Sequence, residues 1–175
     1  MFKYVTKILL CMIFFANIFS NNAICLENPN DHSIYRDAKD PISVFNSNYG
    51  FVSVTFKDVE LMARVVSGES LSEPYEGKVA VAAVILNRVL HEKFPSTIEA
   101  VIKQQGAFSC IIDGEINCTP DRSCYSAVYD ALKGSDPTND ALFFYNPKIA
   151  TCPWMKSISK NNVIQIGNHV FFISE

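Results

Sequence analysis

The chain has 175 residues, of which 49% are hydrophobic, and its 15 basic and 18 acidic side chains give a formal net charge of −3. This length accommodates about one domain with a substantial apolar core. An acidic chain without a basic tract is not typical of nucleic-acid-binding proteins, so no nucleic acid is expected as a partner.

The first 23 residues have the pattern of a secretory signal peptide. Lys3 and Lys7 precede an apolar run from Ile8 to Phe19, and the small residue Ala23 follows at a typical cleavage point. The run is shorter than the roughly 20 residues that span a bilayer, so a retained anchor is the second interpretation. Cleavage predicts a periplasmic or extracellular cell-wall location, and it removes two lysines and no acidic residue.

Residues 24–54 are rich in Asn, Asp and Ser and show no sustained periodicity. They are predicted to form a flexible lead-in. The folded domain is therefore assigned to residues 55–175.

The first helical pattern begins after Thr55. Thr55 and Asp58 have the spacing of a capping box. Apolar residues then recur at helical intervals, and Gly68 is predicted to end the helix.

The second helical pattern runs from about Pro74 to His91. Ser70 and Glu73 have the spacing of a capping box, and Ser72 is a second candidate cap. Apolar residues cover nearly all faces of this pattern, which predicts a buried central helix.

The remainder of the chain mixes short helices with strands. Turn residues and periodicity predict the following: a short helix from Ser96, a turn at Asp113-Gly114, a helix opened by Thr119-Pro120, a strand over residues 141–145, and a hairpin around Gly167-Asn168. Helices come first and strands mostly last. This order predicts an α+β fold, with helices around the buried helix and a small antiparallel sheet.

Glu69 lies in the break between the first two helical patterns, at the edge of the apolar helix. Apolar surroundings disfavour the charged form of a carboxyl group and raise its pKa, as a general acid for glycosidic bond cleavage requires. Carboxylates near a helix start are also common caps. From local sequence alone, both interpretations stay open for Glu69 and for Glu73.

The segment from Gly68 to Arg88 resembles the hallmark of the cell wall hydrolase family of spore-cortex-lytic enzymes (SleB/CwlJ type). The matching residues are Gly68, Glu69, Glu73, Pro74, Tyr75, Gly77, Ala80, Val81, Ala82, Ala83, Val84, Leu86, Asn87 and Arg88. Ser70 and Ser72 depart from the family's Ala and Gly. The resemblance continues to about residue 173, through 106–109, 141–147, Trp154 and 166–171.

The resemblance implies a compact lysozyme-like domain that acts on peptidoglycan as a lytic transglycosylase. Such an enzyme manages with one acid, which protonates the oxygen between N-acetylmuramic acid and N-acetylglucosamine. The same group then deprotonates the muramoyl C6 hydroxyl, and a 1,6-anhydro ring closes without water. Glu69 is the candidate for both roles, and Glu73 is the rival or helper.

Four further residues are candidates for the sugar groove. Phe108, Tyr145 and Trp154 are aromatic residues near the ends of elements or in loops, although burial in the core is the alternative for each. His169 is either a buried sheet histidine or a groove-edge residue. The expected partner is the peptidoglycan glycan strand, bound by a monomer without cofactor or metal.

Six cysteines occupy positions 11, 25, 110, 118, 124 and 152, and the first lies in the predicted signal. Export would expose the others to an oxidising compartment, so at least one disulfide is expected among the last four. Spacing does not determine which residues pair. A zinc site is disfavoured because the chain has no Cys-x-x-Cys pair.

Three alternative functions remain. The first is a hydrolytic muramidase or glucosaminidase that uses Glu69 and Glu73, and the second is a non-catalytic wall-binding module. The third is a cysteine peptidase of the peptide stems, which needs a thiolate at a helix start beside a histidine. Cys124 falls within a predicted helix and Cys110 in a predicted strand, so neither meets that requirement.

Overall fold

The computed structural model describes residues 43–47 and 50–174. The predicted signal peptide and most of the predicted lead-in lie outside these residues. In the described part of the chain, no helix is long and apolar enough to cross a membrane. The elements, in chain order, are β1 (Ser43–Ser47), β2 (Gly50–Val54), α1 (Phe56–Glu69), α2 (Tyr75–Leu90), α3 (Ile98–Ile102), β3 (Ile111–Ile112), β4 (Glu115–Ile116), α4 (Arg122–Leu132), β5 (Phe143–Tyr145), α5 (Pro153–Ser157), β6 (Asn161–Ile166) and β7 (His169–Ile173).

Helix α2 is the centre of the core. Every residue from Gly77 to Leu86 is buried, and helices α1, α3 and α4 pack around it. Lys78 is buried within this helix, where its ammonium donates to the Ser123 hydroxyl at 2.5 Å and lies 3.6 Å from Asp121 Oδ2. The prediction of a buried central helix is therefore confirmed, and so is the α+β class.

Helix α1 begins as predicted but ends later. The capping box of Thr55 and Asp58 is present in full. The helix does not end at Gly68, as predicted, but continues to Glu69, with Ser70 as its C-cap. Glu69 is thus the last residue of α1, and the break begins after it.

The predicted capping box of Ser70 and Glu73 does not form. Pro74 is the N-cap of α2 and makes no side-chain cap bond. The Ser70 hydroxyl instead donates to the Val66 carbonyl at 2.5 Å. Glu73 is unavailable as a cap because its carboxylate is bonded to Asn168, in a distant hairpin.

Three antiparallel sheets are present among the described residues, and the largest has the strand order β5-β7-β6. The predicted turn at Gly167-Asn168 joins β6 to β7, with a positive φ of 60° at Gly167. The predicted turn at Asp113-Gly114 joins β3 to β4, with both residues at positive φ. Phe171 and Phe172 of β7 are fully buried, so this strand contributes directly to the core.

The structure differs from the sequence predictions in several local elements. Strands β1 and β2 form a hairpin in the last part of the predicted flexible lead-in, and the side chains of Val52 and Val54 are buried. Two inward-facing valines are too few to create a recognisable alternating pattern. Helix α5 occupies a stretch predicted as loop. Thr97 caps α3 and Asp121 caps α4, in place of the predicted Ser96 and Thr119-Pro120.

Candidate active site

The carboxylate of Glu69 is held by a segment 40 residues further along the chain. The Ser109 hydroxyl donates to both oxygens, at 3.0 Å from Oε1 and 3.1 Å from Oε2. The backbone N–H of Cys110 also donates to Oε1, at 2.8 Å. Oε1 therefore accepts from the rigid Cys110 N–H as well as from the Ser109 hydroxyl. Oε2 accepts from the rotatable Ser109 hydroxyl alone. The half-buried group can present Oε2 to a substrate while Oε1 stays fixed.

Gly68 allows that segment to approach α1. A Cβ atom at Gly68 would lie 2.4 Å from Cys110 Cβ and 2.9 Å from Cys118 Sγ, distances that real contacts do not allow. The glycine is therefore required for close packing, rather than for the helix termination that was predicted. Without this close approach, the Cys110 N–H would not reach Glu69.

Glu73 lies in the α1–α2 break, and its side chain is only 6% exposed. Its Oε2 accepts a hydrogen bond from the Asn168 backbone N–H at 2.8 Å, and its Oε1 accepts one from the Asn168 side-chain amide at 3.1 Å. Both oxygens thus bind the β6–β7 turn to the start of α2. Since the chain breaks between them, Glu69 and Glu73 do not share the face of a continuous helix.

His169 is buried beside Glu73. Its Nδ1 lies 4.0 Å from Glu73 Oε1 and has no hydrogen-bond partner among the described residues. Burial lowers the pKa of His169, although the charges of Glu73 and Glu69 act to raise it. The imidazole is therefore neutral at neutral pH and forms no ion pair with Glu73. In the described part of the chain, no cluster of His, Cys, Asp or Glu side chains has the arrangement of a metal site.

Arg88 places a buried positive charge near Glu69. Burial lowers the pKa of Arg88 to about 10, while the charge of Glu69 acts to raise it. The guanidinium donates to the Leu142 carbonyl at 2.8 Å. It also lies 5.0 Å from the ring centroid of Phe108 and 5.7 Å from that of Phe143. Local sequence patterns do not reveal this electrostatic link, nor do they indicate a role for Ser109.

The three aromatic candidates have different environments. Phe108 is 4% exposed and packs in the core, which is the alternative considered for it. Tyr145 is half-buried beneath the Lys160 ammonium, 5.5 Å from its ring centroid. Trp154 is 48% exposed and packs edge-on against Phe143. Tyr145 and Trp154 therefore retain ring surface that a sugar can contact, whereas Phe108 retains almost none.

The four described cysteines are free thiols, so the predicted disulfide is not present in the structure. Burial, followed by the charge of Glu69, raises the pKa of Cys110 to about 12. Burial also raises the pKa of Cys124. Both thiols stay mostly protonated at neutral pH, which argues against either one as the activated nucleophile of a cysteine peptidase.

Comparison with known proteins identifies close relatives. The Cell Wall Hydrolase family profile matches residues 72–172, a range that includes Glu73 and begins three residues after Glu69. The spore cortex-lytic enzyme of Bacillus cereus is 47% identical over 114 residues, which cover 65% of this chain and 43% of that protein. The Bacillus subtilis spore cortex-lytic enzyme is 43% identical, over 65% of this chain and 37% of that protein.

Two solved structures extend the similarity to the fold. The catalytic domain of Bacillus cereus SleB has a TM-score of 0.59 and 46% identity, covering 66% of this chain and 89% of that one. The catalytic domain of the germination-specific lytic transglycosylase SleB from Bacillus anthracis has a TM-score of 0.62 and 45% identity, covering 67% and 95%. The match spans less than half the length of the curated full-length relatives.

Proposed function

The chain belongs to the cell wall hydrolase family, and from this we propose that it cleaves the glycan strands of peptidoglycan. The bond cleaved joins N-acetylmuramic acid to N-acetylglucosamine, and the reaction is that of a lytic transglycosylase. A domain with 45% identity, from Bacillus anthracis, is described as a lytic transglycosylase. The region of similarity covers nearly all of that catalytic domain, which supports a shared reaction.

The observation that carries this proposal is the contrast between the two glutamates. Glu69 is half-buried and keeps Oε2 available, whereas Glu73 is buried with both oxygens bonded to Asn168. A direct hydrolase usually needs a second carboxylate to activate water or to attack the sugar. A single available carboxyl group instead suits a reaction in which the substrate supplies its own nucleophile.

In the proposed mechanism, protonated Glu69 donates its Oε2 proton to the glycosidic oxygen as the bond to the muramoyl anomeric carbon breaks. The resulting carboxylate then takes the proton of the muramoyl C6 hydroxyl. The C6 oxygen bonds to the anomeric carbon and closes the 1,6-anhydro ring, so no water is consumed. The Cys110 N–H and the Ser109 hydroxyl stabilise the anionic form of Glu69 between the two proton transfers.

The alternatives fit these contacts less well. Hydrolysis would require Glu73 to leave Asn168 and become accessible to water. A cysteine peptidase would require a thiolate, and the raised pKa of Cys110 opposes one. A wall-binding module would tolerate loss of the Glu69 carboxyl group, and the activity of a Glu69 variant distinguishes that possibility.

We also propose export by the N-terminal signal and action in the cell wall, with the glycan strand as the partner of a monomer. Tyr145 and Trp154 provide ring surface for sugar contact in this proposal. An oxidising compartment would further permit the disulfide expected from the cysteine content.

The products of digestion test the reaction type. Purified mature protein would be incubated with sacculi, and the soluble fragments weighed by mass spectrometry before and after borohydride treatment. We expect most new muramoyl ends to be one water lighter than reducing ends and to take up no hydrogen. If most new ends are reducible, the enzyme is a hydrolase, and Glu73 becomes the candidate base.

A further inference from the structure

Two cysteines converge on one point beside helix α1. A Cβ atom built at Gly68 would lie 3.0 Å from Cys110 Sγ and 2.9 Å from Cys118 Sγ. The two sulfurs therefore cannot be farther apart than the sum of these distances. The proximity of Cys118 also contributes to the raised pKa of Cys110. Both side chains are half-buried, so neither is enclosed in the core.

These cysteines flank the β3–β4 hairpin. Cys110 immediately precedes β3, and Cys118 follows β4 after one intervening residue. Each strand has only two residues, and their pairing comprises Ile111 with Ile116 and Ile112 with Glu115. Such a short ladder is a weak constraint, because two-stranded hairpins have marginal stability by themselves.

The same hairpin base positions Glu69. The Cys110 N–H donates to Glu69 Oε1, and the neighbouring Ser109 hydroxyl donates to both carboxylate oxygens. Movement of the segment before β3 would therefore alter the geometry of the candidate acid. A covalent link at Cys110 would restrict that movement directly.

We propose that Cys110 and Cys118 form a disulfide that closes the β3–β4 hairpin and fixes the segment that positions Glu69. This inference rests on the proposed function, because export supplies the oxidising compartment and Glu69 is the proposed acid. Two thiols lose two protons and two electrons as the S–S bond forms. An external disulfide accepts them by thiol–disulfide exchange and is itself reduced to two thiols.

The surroundings favour this pair over the other two described cysteines. Cys118 is half-buried and lines a surface pocket of about 350 Å³, together with Arg64 and Tyr125. Cys124 is 1% exposed within α4. Cys152 is exposed at the start of α5, on the segment that carries Trp154. Oxidation would also remove a thiol that faces the Glu69 charge.

Disulfide mapping tests the pairing without requiring enzymatic activity. The mature protein would be equilibrated with reduced and oxidised glutathione, alkylated, digested without reduction and analysed by mass spectrometry. We expect a peptide pair linked through Cys110 and Cys118, and the same pair in the Cys152→Ala variant. Free thiols at both positions, or linkage of either cysteine to any other cysteine, would overturn the proposal.

The consequence for Glu69 is tested with a reductant and one variant. We expect reduction to lower the melting temperature of the wild type by about 5–10 °C and its cleavage rate by roughly two- to tenfold. Cys118→Ala should have the lower melting temperature and the lower cleavage rate without reductant, and reductant should change neither. Cys152→Ala should behave as the wild type.

Equal cleavage rates for oxidised and reduced wild type would contradict the positioning role. An inactive protein with the expected linkage would instead contradict the proposed function alone. The two proposals can therefore fail separately.

Discussion

At the scale of single residues, Glu69 and Glu73 have opposite environments although they are four positions apart. Glu69 ends a helix, remains half-buried and receives donors from Ser109 and Cys110. Glu73 is enclosed against His169, and Asn168 occupies both of its oxygens. The first arrangement suits proton transfer to a bound substrate. The second suits attachment of a hairpin to the helix start.

Replacement of each glutamate by glutamine separates these roles. Glu69→Gln should fold and bind glycan but lose cleavage by roughly 10²- to 10⁴-fold, because the amide keeps the shape and cannot donate the proton. Glu73→Gln should lower the free energy of unfolding, since its amide nitrogen cannot accept from Asn168, and it should reduce cleavage less. The rate at which the turbidity of sacculi falls measures cleavage, and urea denaturation measures the free energy of unfolding.

If Glu73→Gln loses more cleavage than Glu69→Gln, Glu73 becomes the candidate acid and Glu69 the residue that anchors a neighbouring segment. A Glu69→Gln rate above half that of the wild type would remove Glu69 as the acid. Circular dichroism of both variants provides the control for folding.

At the scale of elements, two hairpins converge on the break between α1 and α2. The segment that leads into the β3–β4 hairpin approaches Gly68 and supplies the donors to Glu69. The β6–β7 turn approaches Glu73 and Pro74 through Gly167, where a Cβ atom would lie 2.0 Å from Glu73 Oε2. In both cases the missing side chain of a glycine leaves room for the residues of the opposite segment. The candidate site is thus defined by turn geometry as much as by helices.

Gly167→Ala tests whether close approach of the β6–β7 turn is required. Alanine at φ +60° is strained by about 1–2 kcal/mol, and the clash with Glu73 should add about 1–3 kcal/mol. Gly106→Ala is the matched control, because Gly106 has a similar positive φ of 71° but nothing within 4 Å of its Cβ position. Urea denaturation should show the larger loss for Gly167→Ala. Equal losses would mean that the turn tolerates a side chain there.

At the scale of the whole molecule, the β1–β2 hairpin belongs to the same core as the helices. Val54 is fully buried and Val52 is 7% exposed, and both belong to the cluster that includes residues of α1 and α2. The folded part therefore begins before Thr55, which the sequence analysis treats as the domain start. The contribution of the β1–β2 hairpin to the free energy of unfolding can be measured directly.

Val54→Ala should lower the free energy of unfolding by about 2 kcal/mol, because it removes buried methyl groups and leaves a cavity. Val163→Ala removes the same atoms from a side chain that is 54% exposed, and its effect should stay within about 0.5 kcal/mol. Urea denaturation of both variants gives the comparison. A Val54→Ala effect as small as that of the control would mean that the hairpin does not stabilise the core.

Local patterns in the sequence were sufficient for most elements. Helix α2 is predictable because apolar residues cover all its faces, and the α1 capping box because Thr55 and Asp58 are three positions apart. The turns at Asp113-Gly114 and Gly167-Asn168 follow from residues that adopt positive φ readily. The hallmark around Glu69 further identified the family that the profile match supports.

Tertiary structure alone decided how the site is assembled. The donors to Glu69 lie 40 and 41 residues away, and the Asn168 donors to Glu73 lie 95 residues away. Periodicity and capping rules describe interactions over a few positions, so they left Glu73 open between a cap and a catalytic role and assigned Gly68 to a helix end. Contacts with segments 40 to 95 residues away therefore determine which carboxylate remains available and which glycine permits close approach.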